Sequence, residues 1–443
     1  MATAREVAML TLAACEKQGA WSDGHLKQQL REQRLDSRDA ALATRLCFGV
    51  LQNRMLLDWH LSSFCNLPLN KLDLKVLCAL RVAVYQILFL DKIPASAAVN
   101  EAVNLTKKHC RNPKAAGMVN GILRAMLRQE TLAEPKGKTP VETLSIRYSH
   151  PQWLTRMFAD ILGADGAEAL LAADNEQPPI TAQVNTCKAS VQQVAELLEA
   201  EGVSAQIHPW MSNCLILRET GSLERLQAFQ EGLFYVQDCA ARLAVTAADS
   251  KPGQRVLDCC AAPGGKTFAA AIDMGNKGEV ISCDIHPHKI KLLEAGRDRL
   301  GLDIIRPVLQ SATECREEWI EAFDTVITDV PCSGLGIIRK KPDIRYKDAE
   351  PLKGLPHVQK AILENCCAYV KSGGTLVYAT CTLLARENED IVNDFLADHP
   401  EFESVSLNLD VSGGDQPMLT FWPHIHDTDG FFVAKLRKKE GAL

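Results

Sequence analysis

The stretch Asp258-Cys-Cys-Ala-Ala-Pro-Gly-Gly-Lys-Thr267 directly follows the apolar run Arg255-Val-Leu257. A strand, a glycine-rich turn and a helix in this order are typical of α/β folds that hold a nucleotide-like ligand. A triphosphate loop requires Gly-x-x-x-x-Gly-Lys-Ser/Thr, but Cys260 stands where its first glycine belongs, and the dinucleotide pattern Gly-x-Gly-x-x-Gly is absent from this turn. The turn therefore predicts a different cofactor, whose anionic group the helix start can receive while Gly264 and Gly265 let it approach the backbone.

The chain from about residue 251 alternates apolar strands with helix-length segments, which predicts a parallel, doubly wound sheet with helices on both faces. The predicted strands are 255–257, 279–283, 303–305, 325–328 and 374–378. Ligands of such sheets lie beyond the carboxyl ends of the strands. We therefore expect a site built from residues 258–266, Asp284, residues 329–333 and residues 380–382.

Asp284 ends the second predicted strand, twenty-six residues after Asp258. A carboxylate at this place can accept hydrogen bonds from both hydroxyls of a ribose. A ribose and an amino-acid carboxylate without a phosphate describe S-adenosylmethionine. The alternative role of Asp284 is to cap the following helix, around residues 286–293.

Composition limits the class of protein. The 443 residues predict two or three domains, and 47% hydrophobic and 23% charged residues are ordinary for a folded protein. No apolar run is long enough to span a membrane and the first residues do not resemble a secretion leader, so we expect a cytoplasmic protein with no membrane partner. The sixteen cysteines contain no Cys-x-x-Cys pair, which predicts mostly buried thiols and no metal site.

The N-terminal part differs from the rest in pattern and charge. Residues 1 to about 130 show helical apolar periodicity and carry 18 Lys and Arg against 11 Asp and Glu, although the whole chain has a net charge of −6. Positive charge is concentrated at residues 107–114, which predicts a phosphate-facing surface, with a solvated helix end as the alternative. Residues 131–140 form a polar linker, and residues 180–236 predict a small α+β module of short strands and helices.

Two cysteines stand at predicted strand ends, in Asp329-Val-Pro-Cys-Ser-Gly334 and Ala379-Thr-Cys-Thr382. A single cysteine is more often a packed thiol than a nucleophile. Two at the mouth of one sheet, beside an aspartate and a cofactor turn, favour a chemical role for Cys332 and Cys381.

These motifs together resemble those of the RNA cytosine-C5 methyltransferases. The resemblance rests on Leu257–Thr267, Asp329–Gly334, Arg339-Lys-Lys-Pro-Asp-Ile344 and Thr380-Cys-Thr382, and residues 38–53 are similar to the helical domain of NusB antitermination factors. It implies a multidomain protein: an all-α NusB-like RNA-binding domain at 1–130, a linker with the small α+β module at 131–245, and a Rossmann-like α/β S-adenosylmethionine-dependent methyltransferase domain at 246–443.

The resemblance also implies roles for four residues. Cys381 would be the nucleophile that adds to cytosine C6, and Cys332 would assist release of the product, although Cys332 remains the rival nucleophile because DNA cytosine methyltransferases attack from the Pro-Cys position. Asp329 would hydrogen-bond the N3/N4 edge of the base, with a strand-end cap as the alternative. Lys266 would lower a thiol pKa or contact substrate, unless it is an ordinary helix-start lysine.

The resemblance also implies a set of cofactor-binding residues, and this chain departs from the family at one of these positions. Where the family carries an aspartate for the adenine amino group this chain has Ala312, with Ser311 or Glu314 as possible substitutes. Arg339, Lys340, Lys341 and Arg345 would contact phosphates unless they form a solvated turn. The predicted cofactor-binding residues are Cys260, Ala261, Ala262, Pro263, Gly264, Gly265, Lys266, Asp284, Ala312 and Asp329.

The resulting hypothesis is a monomeric enzyme that methylates C5 of a cytosine in small-subunit (16S) ribosomal RNA, on a base that is unstacked or single-stranded. A transfer-RNA enzyme of the same chemistry, a catalytically silent RNA-binding factor and a P-loop NTPase are the alternatives.

Overall fold

The computed structural model of the protein describes residues 2–18 and 22–441, so that Met1, residues 19–21 and residues 442–443 lie outside it. The described residues form two compact units. The helical unit contains the chain up to Glu176 together with the short segment Ile338–Lys347. The sheet unit contains Gln177–Ile337 and the chain from Asp348 onward.

The described residues of the helical unit form eight α-helices. They are α1 (Ala4–Gln18), α2 (Ser22–Gln33), α3 (Ser37–Phe64), α4 (Leu74–Phe89), α5 (Ala95–His109), α6 (Lys114–Leu127), α7 (Pro140–Tyr148) and α8 (Gln152–Ala173). Asp36 and Asp73 begin α3 and α4 as N-caps, because their side chains accept the backbone N–H groups of the first turn. The apolar face of α3, with Leu46, Val50, Leu57 and Leu61, is buried in one core that α1, α4, α5 and α6 share.

The segment Ile338–Lys347 brings a buried arginine into the helical unit. The Arg345 side chain is 0% exposed, and its guanidinium donates hydrogen bonds to five oxygens: the backbone carbonyls of Gln52, Tyr148, Ser149 and Asp174, and Oδ1 of Asn175. The prediction that Arg345 contacts phosphate is therefore wrong, because its donors already bind protein oxygens. Lys341 is exposed, as a phosphate contact requires, whereas Arg339 is buried.

A four-stranded antiparallel sheet begins the sheet unit, with strand order β2-β3-β1-β4. Its elements are β1 (Ile180–Val184), α9 (Val191–Ala200), β2 (Ser204–His208), β3 (Met211–Arg218), α10 (Gln227–Gln230) and β4 (Phe234–Val236). The α+β character of this module agrees with the prediction. Strand β2 was not predicted, because an edge strand with exposed residues lacks a clear apolar alternation.

The second sheet has eight strands and is mixed. In chain order its part of the chain contains α11 (Cys239–Ala248), β5 (Arg255–Asp258), α12 (Gly265–Asp273), β6 (Glu279–Asp284), α13 (Pro287–Leu300), β7 (Ile305–Leu309), β8 (Phe323–Asp329), α14 (Leu355–Cys367), β9 (Val370–Thr380), α15 (Glu389–Asp398), β10 (Phe402–Ser404), β11 (Met418–Phe421), α16 (Pro423–His426) and β12 (Phe431–Lys438). Along the sheet the order is β10-β12-β9-β8-β5-β6-β7, and β11 pairs with β12.

The five predicted strands are parallel, as expected, but the sheet also contains three antiparallel strands that were not predicted. Strands β7, β6, β5, β8 and β9 are parallel, but β12 runs antiparallel to β9, and both β10 and β11 run antiparallel to β12. The predicted strand 303–305 begins only at Ile305, because α13 ends at Gly301 in the left-handed conformation and a turn precedes the strand. As the edge strand, β7 also accommodates Pro307, which cannot donate a backbone hydrogen bond.

Two further features concern the predicted absence of membrane spans and the predicted state of the cysteines. Within residues 2–18 and 22–441 we find no helix long and apolar enough to cross a bilayer. All sixteen cysteines lie in the described residues as free thiols, and only Cys187 and Cys315 among them are exposed.

Candidate active site

Four neighbouring strands bring the predicted groups to one edge of the large sheet. Asp258, Asp284, Asp329 and Thr380 are the last residues of β5, β6, β8 and β9, respectively. Because these strands are parallel neighbours, their carboxyl ends lie together.

The turn between β5 and α12 requires glycine. Gly264 has φ of +117°, and a Cβ atom there would lie 2.4 Å from the ring of Phe268. The backbone N–H of Ala261 donates to the carbonyl of Cys283 on β6 at 2.8 Å, and the Ala262–Pro263 peptide is cis. Since the N-cap of α12 is a glycine, no N-cap side chain covers the first N–H groups of the helix, which can receive an anionic group.

Asp258 is buried beneath this turn. Its carboxylate accepts a hydrogen bond from Thr267 Oγ1 at 2.7 Å. Burial is the main cause that raises the Asp258 pKa to about 7, and the hydrogen bond from Thr267 opposes the shift. The carboxyl group of Asp258 thus titrates near neutral pH.

Asp284 is also buried, at the end of β6. Its Oδ1 accepts the backbone N–H of His286 at 3.0 Å, and its Oδ2 lies 3.3 Å from Nζ of Lys289. These contacts agree with the alternative that Asp284 stabilises the start of α13. A carboxylate has further acceptor positions, so they leave capacity for the two hydroxyls of a ribose.

Lys266, in the first turn of α12, forms an ion pair with Asp329, at the end of β8. Nζ of Lys266 lies 2.7 Å from Oδ2 of Asp329 and 4.9 Å from the centre of the Phe431 ring. Burial would lower the pKa of Lys266, but the Asp329 carboxylate outweighs it and the net pKa shift is upward. The Lys266 ammonium is therefore a fixed positive charge whose partner is Asp329.

The two cysteines meet at this edge. Sγ of Cys332 lies 2.9 Å from Sγ of Cys381, and the backbone N–H of Cys381 donates to Sγ of Cys332 at 3.2 Å. The hydrogen bond with Cys381 raises the pKa of Cys332 well above its usual value, and burial adds to the shift. Cys332 therefore keeps its proton and can donate it in a hydrogen bond to the sulfur of Cys381.

Ala312 is buried, and its side chain packs in the apolar core of the large sheet. Its carbonyl accepts a hydrogen bond from Nδ2 of Asn365 at 2.9 Å. Of the two suggested substitutes, Ser311 has its hydroxyl 2.9 Å from that of Thr313, while the backbone carbonyl of Glu314 accepts from Asn365. The methyl group of Ala312 cannot replace a carboxylate as a hydrogen-bond acceptor.

A buried hydrogen-bond network around the cysteine loops was not predicted. Its members follow or face the two cysteines: Ser333, Gln359, Thr382, Glu387 and Asn388. Glu387 and Asn388 are buried, yet in sequence they lie within the polar run Arg386-Glu-Asn-Glu-Asp390, so no local pattern distinguishes them from exposed residues.

Similarity to known families was found for three successive parts of the chain. Residues 2–128 match the NusB family, residues 150–224 match the ferredoxin-like domain of RsmF/B-like methyltransferases, and residues 245–437 match the family of the 16S rRNA methyltransferase RsmB/F. A helical NusB-like domain, a ferredoxin-like module and a Rossmann-like sheet with two opposed thiols define a methyltransferase of multidomain architecture.

Individual relatives are similar over nearly the whole length. The chain is 37% identical to a Bacillus subtilis protein named "Probable ribosomal RNA small subunit methyltransferase B", covering 98% of both chains. It is 33% identical to a Synechocystis protein of the same name, covering 99% of this chain and 100% of the relative. A solved structure of a protein called PH0851 superimposes with a TM-score of 0.83 at 28% identity, covering 99% of each chain. The chain therefore belongs to the RsmB/F family of 16S rRNA methyltransferases, which confirms the predicted fold class.

Proposed function

We propose that this chain transfers a methyl group from S-adenosylmethionine to C5 of a cytosine in 16S ribosomal RNA, through a covalent bond between Cys381 and cytosine C6. The observation that carries the proposal is the pair of thiols at 2.9 Å, beside the Lys266–Asp329 ion pair, at the carboxyl edge of the large sheet. Relatives named as ribosomal RNA small subunit methyltransferases support the choice of RNA.

The chemistry needs a thiol because cytosine C5 is a poor nucleophile. Addition of the Cys381 thiolate to C6 shifts the electrons of the C5–C6 double bond and makes C5 nucleophilic. S-adenosylmethionine, when bound, supplies an electrophilic methyl group. Loss of the proton from C5 and cleavage of the Sγ–C6 bond then restore the double bond and free Cys381.

The Thr-Cys motif, to which the family resemblance assigns the attacking thiol, supports Cys381 rather than Cys332 as the nucleophile. Because its pKa is raised, Cys332 keeps its proton. Its S–H can stabilise negative charge on the Cys381 sulfur before attack and again when the bond to C6 breaks. Cys332 thereby assists release of the product.

Lys266 and Asp329 provide opposite charges next to the thiols. The Lys266 ammonium favours a negative charge nearby, including a thiolate. The Asp329 carboxyl group is exposed enough to accept a hydrogen bond from the N4 amino group of cytosine, since its side chain is 30% exposed. Both groups act on charge that develops as the thiolate adds to the ring.

The residues of the turn fit the cofactor. The glycine-bounded turn and the start of α12 suit the carboxylate end, and the Asp284 carboxylate at the end of β6 suits the ribose. Cys260, Ala261, Ala262, Pro263, Gly264, Gly265 and Ala312 would line the same site. Ser311, next to Ala312, is the polar side chain we propose to meet the adenine edge.

RNA binding by the helical unit is part of the proposal. A cleft in this unit is lined by Lys17, Lys75, His109 and Arg111, which we call the basic cleft. Within the predicted basic run, Lys108 and His109 instead pair with the buried Glu6, so that the cleft depends mainly on the other three cations. Positive side chains of this kind bind the phosphate backbone.

The alternatives are weaker. Membership of the methyltransferase family overturns the P-loop hypothesis. A silent RNA-binding factor would not need two thiols in contact beside a charged pair, so the intact constellation argues against that alternative. No observation favours transfer RNA over ribosomal RNA.

Incubation with methyl-labelled S-adenosylmethionine tests the proposal. We expect label on unmodified 16S ribosomal RNA as 5-methylcytosine and none on transfer RNA. Label confined to transfer RNA would refute the ribosomal substrate, and absence of label from every RNA would refute the enzyme.

The roles of the cysteines need a separate test. Cys381→Ala is expected to abolish both methylation and covalent RNA–protein adducts, whereas Cys332→Ala should accumulate adducts that resist denaturation. The reverse pattern would make Cys332 the nucleophile.

A further inference from the structure

The carboxylate of Glu387 lies buried between the two cysteine loops and outside the proposed cofactor and base contacts. The side chain is 0% exposed, in the turn that follows β9. A buried carboxylate requires donors to offset its lost hydration. Its Oε2 accepts from the backbone N–H of Ser333 at 2.9 Å and from Nε2 of Gln359 at 2.9 Å, while Oε1 has no hydrogen-bond partner within the described residues.

These two donors belong to the surroundings of Cys332. Ser333 is the next residue after Cys332, and Gln359 of α14 also donates to the carbonyl of Pro331, the residue before it. Glu387 therefore contacts both sides of the Cys332 loop, one side directly and the other through Gln359. A charge-assisted hydrogen bond of this kind is about twice as strong as a neutral one.

The same turn holds the Cys381 loop. Asn388 accepts a hydrogen bond from Thr380 Oγ1 at 2.6 Å and donates to the carbonyl of Thr382 at 3.1 Å, so it bonds the residues on both sides of Cys381. The phenol of Tyr378 donates to the carbonyl of Glu387 at 2.6 Å and fixes the turn on β9. The hydroxyls of Ser333 and Thr382, each directly after a cysteine, lie 2.6 Å apart.

We propose that Glu387 is a positioning residue that sets the distance between the two thiols. Through Ser333 and Gln359 its carboxylate fixes the Cys332 loop on the turn that also holds the Cys381 loop. The contact between Sγ of Cys332 and Sγ of Cys381 follows from this arrangement. The catalytic consequence rests on the proposed function, because only a covalent thiol mechanism needs both sulfurs at one carbon.

The geometric part can be measured without RNA. Phenylarsine oxide bridges two adjacent thiols: two As–S bonds form, and the oxide oxygen leaves as water with the two thiol protons. We expect the full chain to give a peptide pair bridged at Cys332 and Cys381, and Glu387→Ala to reduce that product about tenfold, since a displacement of about 1 Å suffices to disrupt reacting geometry. Alkylation of each thiol by iodoacetamide should not fall.

The catalytic part is measured as methyl transfer at saturating RNA and cofactor. Glu387→Ala should lower kcat by about 100-fold with little change in KM for RNA. Glu387→Gln keeps one oxygen that accepts from both Ser333 and Gln359, so it should retain most of the rate. Asp390→Ala, an exposed acid three residues further on, is the matched control and should behave as the unaltered chain does.

The outcomes separate the possibilities. If Glu387→Gln is as slow as Glu387→Ala, the negative charge or the unpartnered Oε1 acts in the chemistry and the positioning role is overturned. Unchanged bridging and unchanged kcat in Glu387→Ala also overturn it. Should Glu387→Ala not fold, Gln359→Met removes the link from Glu387 to the carbonyl of Pro331 and should lower bridging in the same direction, and no change in that variant counts against the proposal. Bridging that responds as expected in a chain that methylates no RNA would refute the proposed function and leave the geometric role of Glu387 standing.

Discussion

Asp258 is a residue whose charge state should be visible in the stability of the protein. Its pKa is raised to about 7 in the folded chain by burial, against about 4 in an unfolded chain. The folded state therefore binds a proton more tightly than the unfolded state does. The contribution of Asp258 to stability is complete below about pH 4 and is lost as the pH rises to about 7.

We predict that Asp258→Asn removes this pH dependence, since an asparagine oxygen still accepts from Thr267 and cannot titrate. Relative to the variant, the unaltered chain should lose up to about 1.4 kcal/mol of unfolding free energy for each pH unit between these limits. Urea denaturation of both proteins across that range measures the difference. Parallel curves would show that Asp258 is ionised throughout.

Among the elements, the segment Ile338–Lys347 has an unusual place because it belongs to the helical unit although it follows β8 in sequence. Arg345 supplies its main polar contacts, and burial lowers the pKa of the guanidinium. Five protein oxygens accept its hydrogen bonds, so removal of the side chain would take a donor from each of them, although the carbonyls of Tyr148 and Ser149 keep a second donor in Asn175 and Tyr346.

We predict that Arg345→Met destabilises the helical unit by about 3 kcal/mol. Hydrogen exchange of backbone amides in α3 and α8 should report the loss, because Gln52 and Asp174 lie in or next to these helices. Lys341→Met, in the same segment but exposed, is the control and should leave exchange unchanged. Equal exchange in the two variants would contradict the structural role of Arg345.

The strands that carry the candidate site could be predicted from sequence, because each is an apolar run that ends at a polar residue. Apolar runs followed by Asp258, Asp284 and Asp329 identify strand ends, and parallel strands necessarily gather those ends. The direction of β12 was not predictable, since an apolar strand has the same pattern in either direction. Arg345 lies in a charged stretch with Pro342 that resembles a surface turn, and only tertiary contacts reveal its burial.

The hydrogen bonds of Glu387 could not be predicted from sequence for a different reason. Ser333 and Glu387 are 54 residues apart, so no local pattern joins them. The pairing depends on β8 and β9 being neighbours in the sheet. Sequence pattern identified both cysteines, but the distance between their sulfurs could not be derived without that pairing.

The charge of the whole molecule is unevenly distributed. The net charge is −6, yet residues 1–130 carry an excess of Lys and Arg. A polyanion should therefore approach the helical unit first. The basic cleft is the part of this unit whose charge we expect RNA to use.

We predict that Lys75→Ala combined with Arg111→Ala weakens RNA binding and reduces its salt dependence. The slope of log K against log salt should fall by about 0.7 to 0.9 for each lost phosphate contact. Filter binding of 16S ribosomal RNA over a range of salt concentrations measures it. Arg38→Ala combined with Lys92→Ala removes the same charge from exposed positions outside the basic cleft. An equal loss of RNA binding in this control would show that RNA responds to the net charge of the unit and does not bind specifically in the basic cleft.

The placement of Ile338–Lys347 also fixes an order of events during synthesis. Translation proceeds from the N-terminus, so α1 to α8 leave the ribosome well before Arg345 is made. At about 5 to 20 residues per second, the interval between residues 176 and 347 lasts on the order of 10 to 30 s. During that time the carbonyls of Gln52 and Ser149 lack the hydrogen bonds that Arg345 donates in the folded chain, and water can occupy those positions until half of the strands of the large sheet have been made.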